Sequence, residues 1–390
     1  MRTRVAGRPA VALHGPEAAR FFYDEDHIER HGALPEPIRS TLLGQSGVQT
    51  LDGQAHRVRK AMFLSLMTET GIAELCSHVD DAFDRALGRW ADGHRIVLFD
   101  EIAGILTRAV CRWSGVPVAE EDLPGLAADL IALVDGFGSL GPAHIRARLA
   151  RRRLEQRLGD LVRDARTGTK SAPAGSVLEV VARHHDADGA LLDARVGAVE
   201  LLNVLRPTVA VTWYVAFAAH ALHRWPASRV RLREDGPAFA EAFAQEVRRF
   251  YPFAPYVAGK ATRDLVWRGE PIPAGTMVLL DVYGHHHDPI LWPDPYAFVP
   301  ERFLGREIGA FDLIPQGGGD PRTGHRCPGE GITAALLAAL SIRLAALDYR
   351  LPDQDLRISL RRIPTRPASG VVLMSVRTAD RRIVAGPGPS

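Results

Sequence analysis

The residues best placed to do chemistry share one loop: Gln316-Gly-Gly-Gly-Asp320-Pro-Arg-Thr-Gly324-His325-Arg326-Cys327-Pro328-Gly329-Glu330-Gly331, ahead of an Ala/Leu-rich run that opens at Ile332. Glycines on both sides of Cys327, Gly318 and Gly329 among them, let the backbone come close to a flat ligand that side chains would hold off. A cysteine just before a helix meets unpaired amides and the positive end of the helix dipole, which favour the thiolate. A thiolate displayed on a glycine loop is what a haem-thiolate iron needs, with Cys327 as its ligand. The alternative is a buried, inert cysteine beside a glycine turn.

A second unusual position is Arg206, followed by Pro207, inside an apolar run that includes Leu201, Leu202, Val204, Leu205, Val209 and Val211. A guanidinium in such surroundings is costly unless it finds a partner. An ion pair within the chain, with Glu200 or another carboxylate, is one answer. The other is a substrate carboxylate, which the guanidinium fork matches in a bidentate fashion.

The elements that must hold these groups are mostly helical. Apolar residues recur at helical spacing over 72–90, 100–113, 126–137, 143–165, 193–223, 238–250 and 332–347. Short β-like pieces cluster late, at 265–267, 276–280 and 370–373, with turn chemistry at Gly269-Glu-Pro-Ile-Pro273. The stretch 167–175 reads as an exposed loop. The expectation is a mainly α fold with a small β portion, a single domain over 1–390. The 193–223 helix would run about 45 Å at 1.5 Å per residue, with a kink where Pro207 removes a backbone hydrogen bond.

Composition narrows the class. The chain has 390 residues, 46% of them hydrophobic and 24% charged, with a net charge of +2, which argues against nucleic acid as a main partner. Cys76, Cys111 and Cys327 give no disulfide framework and suit a reducing, cytoplasmic setting. The N-terminus lacks the apolar stretch of a signal peptide. The longest uncharged run, 208–222, falls short of the roughly 20 residues of a membrane span. Arg146, Arg148, Arg151, Arg152, Arg153 and Arg157 read as a solvated helix face beside Glu155 and Asp160. His285-His286-His287-Asp288 invites a metal reading, but neighbours on an extended chain point to opposite faces.

Two further segments carry a resemblance. Glu246-Val-Arg-Arg249 resembles the Glu-x-x-Arg pair of the cytochrome P450 superfamily, its i, i+3 spacing setting both side chains on one helical face. Pro300-Glu-Arg-Phe303 is similar to the superfamily segment whose arginine, here Arg302, completes an ion network with Glu246 and Arg249. Within the superfamily, the Cys327 loop, Gln245–Phe253, Leu51–Lys60 and Glu200–Thr208 most resemble the fatty-acid peroxygenases, the bacterial branch that uses hydrogen peroxide.

That resemblance implies the P450 fold, with haem b between a long distal helix and the helix after the cysteine loop. It implies hydroxylation of long-chain fatty acids at the α and/or β carbon with hydrogen peroxide as oxidant and no obligatory reductase or ferredoxin. Ordinary monooxygenases of the superfamily carry an acid followed by threonine on the distal helix, to relay protons. Arg206-Pro207 stands in that place here, so the acid–base group becomes the substrate's own carboxylate, anchored on Arg206. Arg206, Pro207 and Gln49 are the implied catalytic set. Gln49 matches a position that is glutamine in the family's hydroxylases and histidine in its alkene-forming decarboxylase, which favours hydroxylation. Leu43 stands where relatives often have phenylalanine, which would widen the pocket. The haem propionates would meet His56, Lys60, Arg30 and His325, with Arg59 and Arg326 as close alternatives. A decarboxylase at the same haem and a redox-partner-dependent monooxygenase are the rival readings. The resemblance also leads one to expect a further N-terminal helix, walling the substrate entrance, ahead of this chain's first residue.

Overall fold

The protein is described by a computed structural model covering residues 1–5, 7–36, 39–90, 95–139 and 141–378. Its described α-helices are α1 Pro16–Tyr23, α2 Gly53–Leu66, α3 Glu69–Trp90, α4 Leu98–Ser114, α5 Leu123–Asp135, α6 Pro142–Thr167, α7 Val177–Ala182, α8 Ala194–Arg224, α9 Pro226–Glu234, α10 Gly236–Phe250, α11 Val282–His286 and α12 Glu330–Ala345. Seven of these, α3 to α6, α8, α10 and α12, lie where helical periodicity puts them. Helix α12 ends earlier than expected, because Leu347 opens a strand.

Helix α8 is the axis of the fold. Asp193 starts it by accepting the amides of Arg195 and Val196 at 2.9 and 3.3 Å, an N-cap that satisfies otherwise orphaned donors. Its apolar residues are buried on all sides, with Trp213 and Phe217 fully enclosed, and it packs on α4, α6 and α12. It is long and apolar enough to cross a membrane, yet 94% of its most apolar stretch is buried within the protein. A helix apolar all round is explained by that central place. Helical backbone continues through Pro207, which has no N–H to give the Asn203 carbonyl.

The β portion forms a five-stranded sheet, a three-stranded sheet and a hairpin. In the largest, β1 (Arg8–Leu13) pairs in parallel with β3 (Met277–Asp281), Ala10 opposite Met277, and β3 pairs antiparallel with β2 (Tyr256–Ala261). The expected 265–267 piece is a strand paired antiparallel with Glu270–Ile272. Left-handed Arg268 (φ 48°) and Gly269 (φ 82°) make the hairpin turn, so the residues read as turn are themselves partly strand.

Two expectations change here. Arg151 leaves the solvated arginine face: it is buried, pairs with Glu155 at 2.6 Å and donates to the carbonyls of Thr41 and Leu42 at 3.1 and 3.0 Å. The histidine run lies on and beside α11, not on an extended chain. Each ring meets its own backbone group: His285 the Asp312 carbonyl (2.8 Å), His286 the Ile314 amide (2.9 Å) and His287 the Tyr283 carbonyl (2.9 Å).

Candidate active site

Cys327 sits three residues before α12, where its amide donates to the Gln316 carbonyl at 2.8 Å. The Gln316 side chain lies 3.8 Å from the sulfur and donates to Thr333 at 2.9 Å. Burial pushes the Cys327 thiol up, with Glu330 adding to that, while the Gly329 amide, Lys60 and Gln316 pull the other way. Burial thus works against the thiolate that the helix end favours. A bound metal cation is what would remove the proton.

Around this loop the protein gathers Lys60, His56, His325 and Arg30, with Asp52 against His325 and Glu25 close to both histidines. Lys60, from α2, is fully buried and donates to the backbone carbonyls of Gly324 and Arg326, the latter at 2.6 Å. It has no carboxylate partner among the described residues, and burial pushes it down to about 8. His56 stacks on His325 with ring centroids 4.0 Å apart. Its Nδ1 is buried without a partner, and burial, then the charges of His325 and Lys60, hold its pKa down to about 3. His325 meets Asp52 at 3.2 Å. Arg30 lies over the Phe22 and Tyr23 rings and donates to the Ala258 carbonyl at 3.2 Å.

These residues fit haem. A buried thiol, Gly329 whose added Cβ would come 3.9 Å from the sulfur, and the Lys60 and Arg30 cations, neither paired with a carboxylate among the described residues, match a flat iron ligand carrying two carboxylates. The structure brings His56, Lys60 and His325 together beside Cys327, with Arg30 close to His325. Gly318 instead packs where an added Cβ would strike Phe311 and Ile314.

Arg59 is a correction. Its guanidinium is taken up by two acids, donating through Nε to Asp186 at 2.8 Å and through Nη1 to Glu200 at 2.5 Å. A guanidinium takes the carboxylates within reach, and Glu200 is fully buried and needs one. Arg326 is likewise held, by Glu330 at 2.6 Å.

Because Arg59 occupies Glu200, Arg206 is left without a carboxylate among the described residues. Arg206 is buried, and among the described residues its one hydrogen bond runs from Nη2 to Asn203 Oδ1 at 3.1 Å, with Nε unpartnered. Burial pushes its pKa down to about 9; Arg151 lowers it further and the Cys327 sulfur raises it, which places Arg206 within electrostatic reach of the cysteine. The charge is retained at neutral pH. Gln49 follows Val48 on a short turn, with its Oε1 buried and unpartnered.

The Glu246 network is fully met. Glu246 binds Arg249 by two bonds, at 2.7 and 2.8 Å, and lies 3.3 Å from Arg302. Arg249 also donates to the carbonyls of His286 and Pro295, each at 2.8 Å. Sequence reasoning missed Asn203, Glu200 as the partner of Arg59, and the pairing of Arg248 with Glu330 behind the cysteine loop. The i, i+3, i+6 spacing of Glu200, Asn203 and Arg206 was the available signal.

The sequence signature described as Cytochrome P450 matches residues 238–354. Among solved structures, cytochrome P450SP alpha (CYP152B1) in complex with (R)-ibuprophen is 43% identical, with a TM-score of 0.94 over 97% of this chain and 93% of that one. Cytochrome P450EX alpha (CYP152N1) with myristic acid is 39% identical, with a TM-score of 0.93 over 97% of this chain and 91% of that one. A relative by sequence is cyclooctat-9-en-7-ol 5-monooxygenase of Streptomyces melanosporofaciens, 27% identical over 88% of this chain and 80% of its own length.

Proposed function

The chain belongs to the cytochrome P450 family, whose members hold haem through a cysteine thiolate, and from that premise we propose that it is a fatty-acid peroxygenase. It hydroxylates long-chain fatty acids at the α and/or β carbon with hydrogen peroxide, needs no reductase or ferredoxin, and works in the cytoplasm as a single haem-thiolate domain. The observation that carries this is Arg206, a buried cation with no carboxylate partner among the described residues, set among buried Leu and Val on α8. Its likeness to a structure holding myristic acid supports the same ligand class.

When bound, haem ligated by Cys327 would supply the oxidising chemistry, the thiolate favouring O–O cleavage. His56, Lys60, His325 and Arg30 would hold its propionates. Arg206 binds the substrate carboxylate; at about 4 Å and an effective dielectric near 20 the attraction is on the order of 4 kcal/mol. Helix α8 has no side-chain acid beside Arg206 at 207 or 208. The anchored carboxylate itself takes the oxidant's proton at one oxygen and returns it. Holding the headgroup sets which carbons lie nearest the reacting centre, so oxidation falls at α and β. Gln49 has no ionisable proton to give, which favours hydroxylation over loss of the carboxyl group.

The test is a product assay with haem-loaded protein, myristic acid and hydrogen peroxide, without reductase or nicotinamide, read by mass spectrometry. α- and β-hydroxy acids that disappear in Arg206→Ala support the reading. Terminal alkenes would replace it with decarboxylation, and turnover only with an added reductase would replace it with a monooxygenase.

A further inference from the structure

We infer that Asn203, backed by Glu200, is a positioning residue that aims the Arg206 guanidinium and ties it to the turn carrying Gln49. This rests on the reading of Arg206 as carboxylate anchor and adds the element that sets its direction. The three side chains fall at i, i+3 and i+6 on α8, so they form one ladder along a single face. Asn203 Nδ2 donates to Glu200 Oε2 at 2.8 Å, and Arg206 Nη2 donates to Asn203 Oδ1 at 3.1 Å. Chemistry alone fixes which end of the amide is which. A carboxylate only accepts and a guanidinium only donates, so Nδ2 must face Glu200 and Oδ1 must face Arg206.

Glu200 anchors the other end. Its Oε1 accepts the Val48 amide at 3.0 Å, one residue before Gln49, and also accepts from Arg59. Gly47 belongs to the same arrangement, since a Cβ there would stand 3.0 Å from Asn203 Nδ2. Arg59 reaches on to Asp186 and to the Ser46 carbonyl, at 3.4 Å. The turn that presents Gln49 and the helix that presents Arg206 are thus registered through two side chains. An amide is the group suited to position 203. It supplies an acceptor that orients the guanidinium while adding no charge to compete with a substrate carboxylate. Aspartate there would pair with Arg206 from within.

The experiment compares haem-loaded wild type, Arg206→Ala, Asn203→Leu and Asn203→Asp. It measures myristate affinity by calorimetry, the α-to-β product ratio, and melting temperature with the haem-thiolate absorbance as a check on folding. Removing a hydrogen bond to a charged group predicts myristate binding roughly tenfold to hundredfold weaker in Asn203→Leu, with an altered α-to-β ratio. Asn203→Asp should bind more weakly still, although it is the closer isostere. A merely structural Asn203 predicts a different outcome: a lowered melting temperature in Asn203→Leu, with affinity and product ratio unchanged in every variant that folds. That result overturns the inference while leaving the Arg206 reading intact, provided Arg206→Ala has lost binding. If Arg206→Ala binds as wild type does, the anchor reading itself falls and takes this one with it. Should Asn203→Asp not fold, affinity and product ratio in Asn203→Leu decide alone.

Discussion

Two buried arginines on neighbouring helices meet opposite surroundings. Arg249 on α10 has every direction filled: two bonds to Glu246 and three to carbonyls, from His286, Pro295 and Ala297. Arg206 on α8 has one bond to a neutral amide and no carboxylate among the described residues. The desolvation cost is similar in both places, and only one is offset within the chain. A satisfied charge is part of the scaffold. An unsatisfied one, held in place by the rest of the fold, is what the proposed carboxylate anchor rests on.

The largest effect should come from breaking the satisfied network. Glu246→Ala leaves Arg249 and Arg302 buried without their carboxylate and should destabilise the fold by about 3–5 kcal/mol. Thermal melting would read this; a melting temperature equal to wild type would mean the network is dispensable. The unsatisfied arginine should behave the other way round. Arg206→Ala should lower kcat/KM for myristate by about two to three orders of magnitude, from the loss of several kcal/mol of attraction. Its substrate-free melting temperature should stay level or rise. A fall in both together would make Arg206 structural and erase the contrast.

Gly44 sharpens the comparison through a third guanidinium. It holds φ at +81°, and an added Cβ would collide with the Arg151 guanidinium and stand 2.8 Å from Val199 Cγ1. Gly44→Ala should cost about 2–3 kcal/mol, from left-handed backbone strain plus overpacking, as checked by chemical denaturation. A neutral result would mean that Arg151 is free to move aside.

The smallest effect concerns Asp52, a carboxylate already paired with His325. Burial raises the Asp52 pKa, but bonds from His325 and from the amides of Arg30 and His31 outweigh it, leaving about 2. A depressed carboxylate stabilises the fold above its unfolded value near 3.9, and that contribution fades as pH falls toward about 2. Asp52→Asn should therefore lose about 1–2 kcal/mol at pH 7, after discounting for partial exposure. Its gap to wild type should narrow between pH 4 and pH 2. A gap that stays constant with pH would assign the loss to geometry rather than charge.

How far the sequence showed this depends on what each element buries. Helix α8 was legible to within a residue because it buries Leu, Val, Trp and Phe. Helix α2 was not read from periodicity, although it carries His56 and Lys60. Its buried face is His56, Arg59, Lys60, Met62, Phe63 and Leu66, half of it polar or charged, so the apolar rhythm is missing. Only the resemblance drew attention to it. The cysteine loop and the Glu246 pair were legible because their residues are close in sequence. The partner of Glu200 was not: Arg59 lies 141 residues away, and no local pattern records that pairing. The kind of group at 206 was readable in advance, but its freedom from Glu200 was not.

Lys60 has a consequence for how the protein is made. Its two carbonyl acceptors, on Gly324 and Arg326, lie 264 and 266 residues further along the chain. At about 5–20 residues per second of synthesis, they emerge roughly 13–53 seconds after it. Throughout that interval the ammonium is solvated and the cysteine does not yet exist. Haem capture is therefore a late event on the ribosome or after release, and a chain truncated before the last quarter carries half a cofactor site with nothing to close it.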